Sequence, residues 1–180
     1  SAERIAEYLD AEITVKDSKD VKSQELFGEI EAKHLTFTYP DGETPVLNGV
    51  SFTIKKGEMV GILGRTGSGK SSLVDLFLRT YNVNENQLFI AGHDMMKLPI
   101  KDVRELMGYV PQDNFLFSET IKDNIAFAYE DADLERVTQA AKLSDVHDNI
   151  IEFKHQYETM LGERGVTVSG GQKQRLSIAR

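Results

Sequence analysis

The 180 residues predict an α/β fold in which an antiparallel β arm leads into a phosphate-binding loop and a helical part follows. Three observations carry that reading. Gly64-Arg65-Thr66-Gly67-Ser68-Gly69-Lys70-Ser71 fits the pattern G-x-x-x-x-G-K-[ST]; alternating apolar residues fill the stretch ahead of it; and helical apolar spacing fills the stretch from Phe117 onward.

Residues 1–27 are polar and mixed in charge, with Ile5 and Leu9 as an i, i+4 apolar pair, so they predict a helical tail and a linker. From Gly28 the pattern becomes alternation. Leu35, Phe37 and Tyr39 interleave with Thr36 and Thr38, the Pro40-Asp41-Gly42 turn follows, and Val50, Phe52 and Ile54 alternate again. Met59-Val60-Gly61-Ile62-Leu63, led in by Lys55-Lys56-Gly57-Glu58, reads as a buried parallel strand. After Lys70, the residues Leu73, Leu76, Phe77 and Thr80 take helical spacing, which gives the order strand, glycine loop, helix. Gln87 to Ala91 and Met107 to Val110 are further strand candidates, with a short helix over Ile100 to Leu106 between them. Asp131 and Asp133 open a helix carrying Leu134, Val137 and Ala141, and Val146, Ile150 and Phe153 continue the helical reading.

The loop defines the chemistry. Its backbone N–H groups turn inward around the α/β-phosphates, Lys70 reaches the β/γ-phosphates and the Ser71 hydroxyl is offered to Mg²⁺. The amides that open the following helix, Ser72 among them, add donors and a positive dipole end. Arg65 is the other cation of the loop and is expected to point away. With 29 acidic against 21 basic side chains, the net charge of −8 weighs against nucleic acid as a partner, while one triphosphate needs only local donors. The absence of cysteine excludes a disulfide framework or thiolate metal site, and four scattered histidines lack ligand spacing. No apolar run approaches the length of a membrane span, so these residues read as soluble in themselves.

Far downstream stands Val168-Ser169-Gly170-Gly171-Gln172. Ser169 is a good N-cap for a helix beginning near Gln172, and Gly170 and Gly171 let backbone approach an anion without a Cβ in the way. Tyr39, Gly64 to Ser71, Gln112 and Val168 to Gln172 together resemble, in order and spacing, the nucleotide-binding domain of ATP-binding-cassette (ABC) transporters, and the resemblance covers nearly the whole chain. Gly162-Glu163-Arg164-Gly165 and Ala2-Glu3-Arg4-Ile5 are similar to exporter-type members, although Met160 stands where a glutamate is common.

The resemblance implies a P-loop NTPase core with its β arm over residues 28–112, an α-helical subdomain over 113–180 and a linker from a membrane domain over 1–27. It implies MgATP as ligand, with Tyr39 stacking on adenine, Gln112 reaching Mg²⁺, and Ser169 to Gln172 facing the nucleotide of a partner ATPase domain. Tyr39 as a strand-end packing residue and Gln112 as a solvated loop residue are the plain alternatives. Phe115-Leu116-Phe117 lies near the surface that receives a transmembrane partner, or else forms a core contact of the helical part. The resemblance also implies that the C-terminal strands of the full domain, with the carboxylates and histidine that complete hydrolysis, lie beyond Arg180. These residues alone are therefore expected to bind ATP without sustained turnover, and to expose apolar surface where sheet strands would flank the loop. The expected parent is an exporter ATPase at the cytoplasmic face of a membrane, pairing as a homo- or heterodimer. A DNA-repair or chromosome-organising ATPase of the same superfamily is the alternative, but neither heptads nor Lys/Arg stripes are visible. A kinase or GTPase leaves Ser169 to Gln172 unexplained.

Overall fold

The computed structural model describes residues 5, 6, 9–129, 131–162 and 166–180. Contacts divide the chain into two compact units, Ser1–Gly108 and Tyr109–Arg180. The helical tail expected at the start, and the Glu163-Arg164-Gly165 part of the exporter-like segment, fall mostly outside the described residues.

The first unit is built on a four-stranded sheet in the order β2-β1-β3-β4, with β1 at Ile30–Phe37, β2 at Leu47–Ile54, β3 at Leu88–Ile90 and β4 at His93–Asp94. Every pairing in it is antiparallel. The β arm thus forms as its alternation predicts, with one irregularity that the pattern hides. Ala32 and Leu35 both face the core although they are three apart, because the register shifts between them and His34 takes φ 46°. The freed His34 amide donates to Ser51 Oγ at 2.8 Å.

The helix after the loop, α1, runs over Lys70–Phe77 and buries Leu73 and Leu76 against the arm. It ends earlier than the spacing predicts. Arg79 turns into the left-handed region at φ 53°, buries its side chain and donates to Met95 O at 2.7 Å, which leaves Thr80 exposed. Arg104, in α2 (Ile100–Glu105), closes the end by donating to Leu78 O at 3.0 Å and Arg79 O at 3.1 Å, satisfying carbonyls that a helix terminus leaves orphaned. Burial holds the Arg79 guanidinium below its usual pKa range, and nearby Asp17 acts in the opposite sense.

The stretch read as a linker is stitched to this unit. Asn82 Nδ2 donates to Thr14 O at 3.0 Å, the Ile100 amide donates to Asp17 Oδ1 at 2.9 Å, and the Lys22 amide donates to Lys97 O at 3.2 Å. Asp17 thereby supplies the cap that α2 lacks, since its own N-cap Pro99 has no side-chain acceptor.

Two strand expectations are corrected. Residues 59–63 form no strand, and Met59 and Leu63 are 98% and 97% exposed. A strand needs a neighbour, and none of the described strands pairs with this run. Met107 to Val110 is likewise irregular, with Tyr109 half exposed. An apolar run specifies the wish to be buried but not the partner that buries it.

The second unit packs α3 (Ile121–Ile125), α4 (Leu134–Leu143), α5 (His147–Ile151) and α6 (Gly170–Ala179) around Ile121, Ile125, Val137, Ala141, Ile150 and Leu176. Asp133 caps α4 as expected, accepting from the Arg136 amide at 2.8 Å, and Thr120 caps α3 through the Asp123 amide at 3.0 Å. At its centre lies a polar residue, Asn124, 1% exposed. Its Oδ1 accepts from the Phe117 amide at 2.8 Å, and its Nδ2 donates to Phe117 O and Thr120 O, each at 3.0 Å. Asn124→Ala strands those groups without water, so it is expected to lower stability by about 2–4 kcal/mol, read as a denaturant midpoint shift in the intact domain.

Candidate functional site

The phosphate loop is exposed from Gly64 to Ser68 and enters α1 through Gly69. Two glycines hold its shape. Gly67 has φ 80° and Gly69 φ 85°, and a Cβ on Gly69 would sit 2.8 Å from Leu47 Cδ2 and 3.0 Å from Val46 O. Gly64 has no room for a Cβ either, which would collide with Ser68 Oγ. The Ser68 amide donates to Arg65 O at 3.2 Å across the turn, with Thr66 at its exposed tip.

Lys70 is folded back over this loop, its Nζ donating to Gly64 O at 2.8 Å and Arg65 O at 2.9 Å. The cation therefore rests on the carbonyls at the start of the loop. No side chain caps α1 and no acidic residue stands in its first turn, so its opening amides and dipole face the loop uncompensated. The Ser71 hydroxyl is exposed. That of Ser72 is buried in a 2.7 Å hydrogen bond with Tyr39 OH, so only its backbone amide remains for an anion.

Tyr39 is half-buried, edge-on to Phe37 at 5.0 Å and to Tyr81 at 5.2 Å between ring centroids. Its ring packs within the unit, and its hydroxyl is tied to the first turn of α1. Sequence reasoning did not foresee that tie, nor the supporting role of Tyr81.

In the second unit, Ser169 caps α6 as predicted, but the helix starts at Gly170, two residues earlier than the sequence suggests. The Gln172 amide donates to Ser169 Oγ at 3.2 Å and the Ser169 amide donates to Gln172 Oε1 at 2.9 Å, a reciprocal capping box. Gln172 thus serves its own helix. A Cβ on Gly170 would meet nothing within 4 Å, and one on Gly171 only Arg175 at 3.6 Å, so this helix end is open. Gln112 is exposed and borders a polar cleft of about 360 Å³ with Asp113, Asn114, Gly170, Lys173 and Gln174. The fold thus brings Gln112 beside the start of α6. Of Phe115-Leu116-Phe117, Leu116 packs on the unit's core while Phe115 is 66% exposed.

Among the described residues, no cluster of three or more His, Asp or Glu side chains could hold a metal ion. The donor set fits a different kind of cation. Mg²⁺ keeps most of its waters and takes one or two protein oxygens together with phosphate oxygens, for which an exposed serine hydroxyl beside a phosphate loop is a suitable ligand.

A phosphate loop of this pattern opening α1 marks a nucleotide-binding protein, and the second unit adds a capped, glycine-opened helix start. The family model described as "ABC transporter" matches residues 47–180, and the chain belongs to that family. It is 43% identical over 180 residues to the ABC transporter ATP-binding protein YfiB of Bacillus subtilis, covering all of this chain and 31% of YfiB. It is 41% identical over 181 residues to YgaD of the same organism, which is named for multidrug export and for ATP-binding and permease parts, again over 100% of this chain and 31% of the relative. A solved bacterial Atm1-family ABC exporter with ATP bound superposes with a TM-score of 0.88 at 33% identity, over 99% of this chain and 31% of that one. The chain therefore spans about a third of the length of these relatives.

If the Tyr39 ring stacks on a base, Tyr39→Ala should weaken ATP and ADP alike by roughly 5- to 100-fold, while Tyr39→Phe stays within about threefold. Equilibrium titration with a fluorescent ATP analogue decides. Equal losses in both variants would show that the hydroxyl bond to Ser72, and not the ring, is what matters.

Proposed function

We propose that this chain is the ATP-binding part of an exporter ATPase, which binds MgATP on the loop from Gly64 to Ser71 and closes against a second ATPase domain to drive transport. The single observation that carries this is the loop geometry, with the Lys70 ammonium held over it and an uncapped helix start behind it. The family match and the exporter relatives support the transport reading over a DNA-repair or chromosome-organising one.

In this reading the triphosphate lies along the loop amides, and Lys70 exchanges two carbonyl acceptors for β/γ-phosphate oxygens by rotating its side chain. Ser71 would offer its hydroxyl oxygen to Mg²⁺, which when bound would neutralise charge on the phosphates. Tyr39 orients the base. Ser169, Gly170 and Gly171 present a second helix end, which receives the nucleotide held by the partner domain. The exposed aromatic residues around Phe115 receive the transmembrane partner, at the cytoplasmic face of the membrane. The unpaired 59–63 run pairs with strands contributed from outside the described residues, which offsets its exposure.

The experiment is ATP hydrolysis by the intact parent protein in lipid. Mg²⁺-dependent turnover is expected, and its absence in a protein that folds would sink the ATPase reading. The loop from Gly64 to Ser72 carries no carboxylate to orient a water. The 180 residues alone should accordingly show no sustained hydrolysis, and phosphate release that disappears with Lys70→Ala would contradict this.

A further inference from the structure

At the C-terminal end of α6, roughly 16 Å from Ser169 by helix geometry, Arg180 gathers one segment of the second unit around a single guanidinium. Its Nε donates to Asn124 O at 2.9 Å, one terminal nitrogen to Asn124 Oδ1 at 3.0 Å and the other to Phe115 O at 3.0 Å. Its central carbon lies 5.4 Å and 5.6 Å from the ring centroids of Phe117 and Phe127, which stack on each other at 4.6 Å with 15° between planes. Asn124 in turn holds both the amide and the carbonyl of Phe117. Phe115 and Phe127 remain 66% and 59% exposed, so the group that Arg180 organises is a surface and not the interior.

We propose that Arg180 is a positioning residue that locks the far end of the Ser169 helix to the Phe115–Phe127 aromatic surface, so that a displacement at the helix start reaches that surface as a rigid movement. This rests on the reading that the Ser169 end meets a phosphate. The geometry suits arginine specifically. A planar fork reaches three acceptors on two sides and lies against two rings at once, whereas a lysine ammonium is a point charge that satisfies part of the set. Burial also holds the guanidinium below its usual pKa range, though it stays charged at any working pH. Rigid packing around a two-ended helix is the kind of element through which one site can bias another.

The test uses the intact transporter in nanodiscs, with MgATP as the probe and hydrogen exchange read on peptides covering 115–127 and 169–172. In the wild type, MgATP is expected to change exchange at both. In Arg180→Lys, the affinity for a fluorescent ATP analogue should stay within about twofold. The change at 169–172 should persist there and the change at 115–127 should shrink at least about threefold, in line with a coupling lost without loss of binding. Arg180→Gln should behave the same way more severely; if it fails to fold, Arg180→Lys decides alone. Phe127→Leu, which keeps the three hydrogen bonds, should give an intermediate loss. A full change at 115–127 in Arg180→Lys overturns the proposal, and so does an equal loss at both peptides, the mark of a merely structural role. A wild type that binds MgATP with no change at 169–172 refutes the reading of the Ser169 end instead, and the proposal falls with that premise.

Discussion

Lys70→Ala is expected to weaken ATP binding by roughly 100- to 1000-fold, the largest effect of any single substitution in the chain. The ammonium makes two short contacts over the loop, and no other loop cation but Arg65 is available to replace it. Charge-assisted hydrogen bonds contribute about 1.5–3 kcal/mol each, and losing two with some compensation from water leaves about 3–4 kcal/mol. Arg65→Ala serves as the control and should stay within about threefold, since a backbone carbonyl and not the side chain of Arg65 contacts Lys70. Titration of both variants with a fluorescent ATP analogue checks this. Unchanged affinity in Lys70→Ala would remove the phosphate-cradle reading.

Ser169→Arg should block ATP-dependent pairing while sparing nucleotide binding. The wild-type serine completes a capping box, and Gly170 beside it faces open space. An arginine there loses the cap, places a cation against the positive end of α6 and fills the place of an incoming phosphate. Pairing should weaken at least about tenfold, equivalent to about 1.4 kcal/mol, with affinity in dilute monomer changed no more than about twofold. Sedimentation of the intact ATPase domain at high concentration with MgATP reads the first, and titration at dilution the second. Lost affinity in the monomer would mean that the Ser169 end serves its own chain's nucleotide.

What could be read from the sequence was local. The loop glycines, the Ser169 and Asp133 caps and the alternation of the arm each depend on residues within a few positions of one another, and each stands where its pattern places it. Pairing partners are not local, which is why Met59 to Leu63 reads as a strand and is found exposed. The buried polar residues were invisible for a related reason. Asn124 falls between Ile121 and Ile125 on one helix face, and that interruption of an apolar stripe was the available signal. Nothing in the sequence announced that Arg79 would leave α1 through a positive φ, or that Arg180 would reach back to Asn124 and Phe115. The Tyr39 tie to Ser72 joins residues 33 apart and was equally out of reach.

These 180 residues contain no cysteine, so two introduced here can report on the central claim in a domain whose remaining residues are also kept free of cysteine. Ser68→Cys lies on the exposed loop, and Val168→Cys immediately precedes the α6 cap and replaces a half-buried apolar side chain. The measurement is oxidative cross-linking of intact ATPase domains, one preparation carrying each substitution, mixed with and without MgATP and resolved on a non-reducing gel. If the phosphate loop of one domain faces the Ser169 helix end of the other across a shared nucleotide, a covalent dimer should form with MgATP and disappear without it or with Lys70→Ala. A cross-link indifferent to nucleotide, or none in protein shown to be saturated with MgATP, would contradict the account.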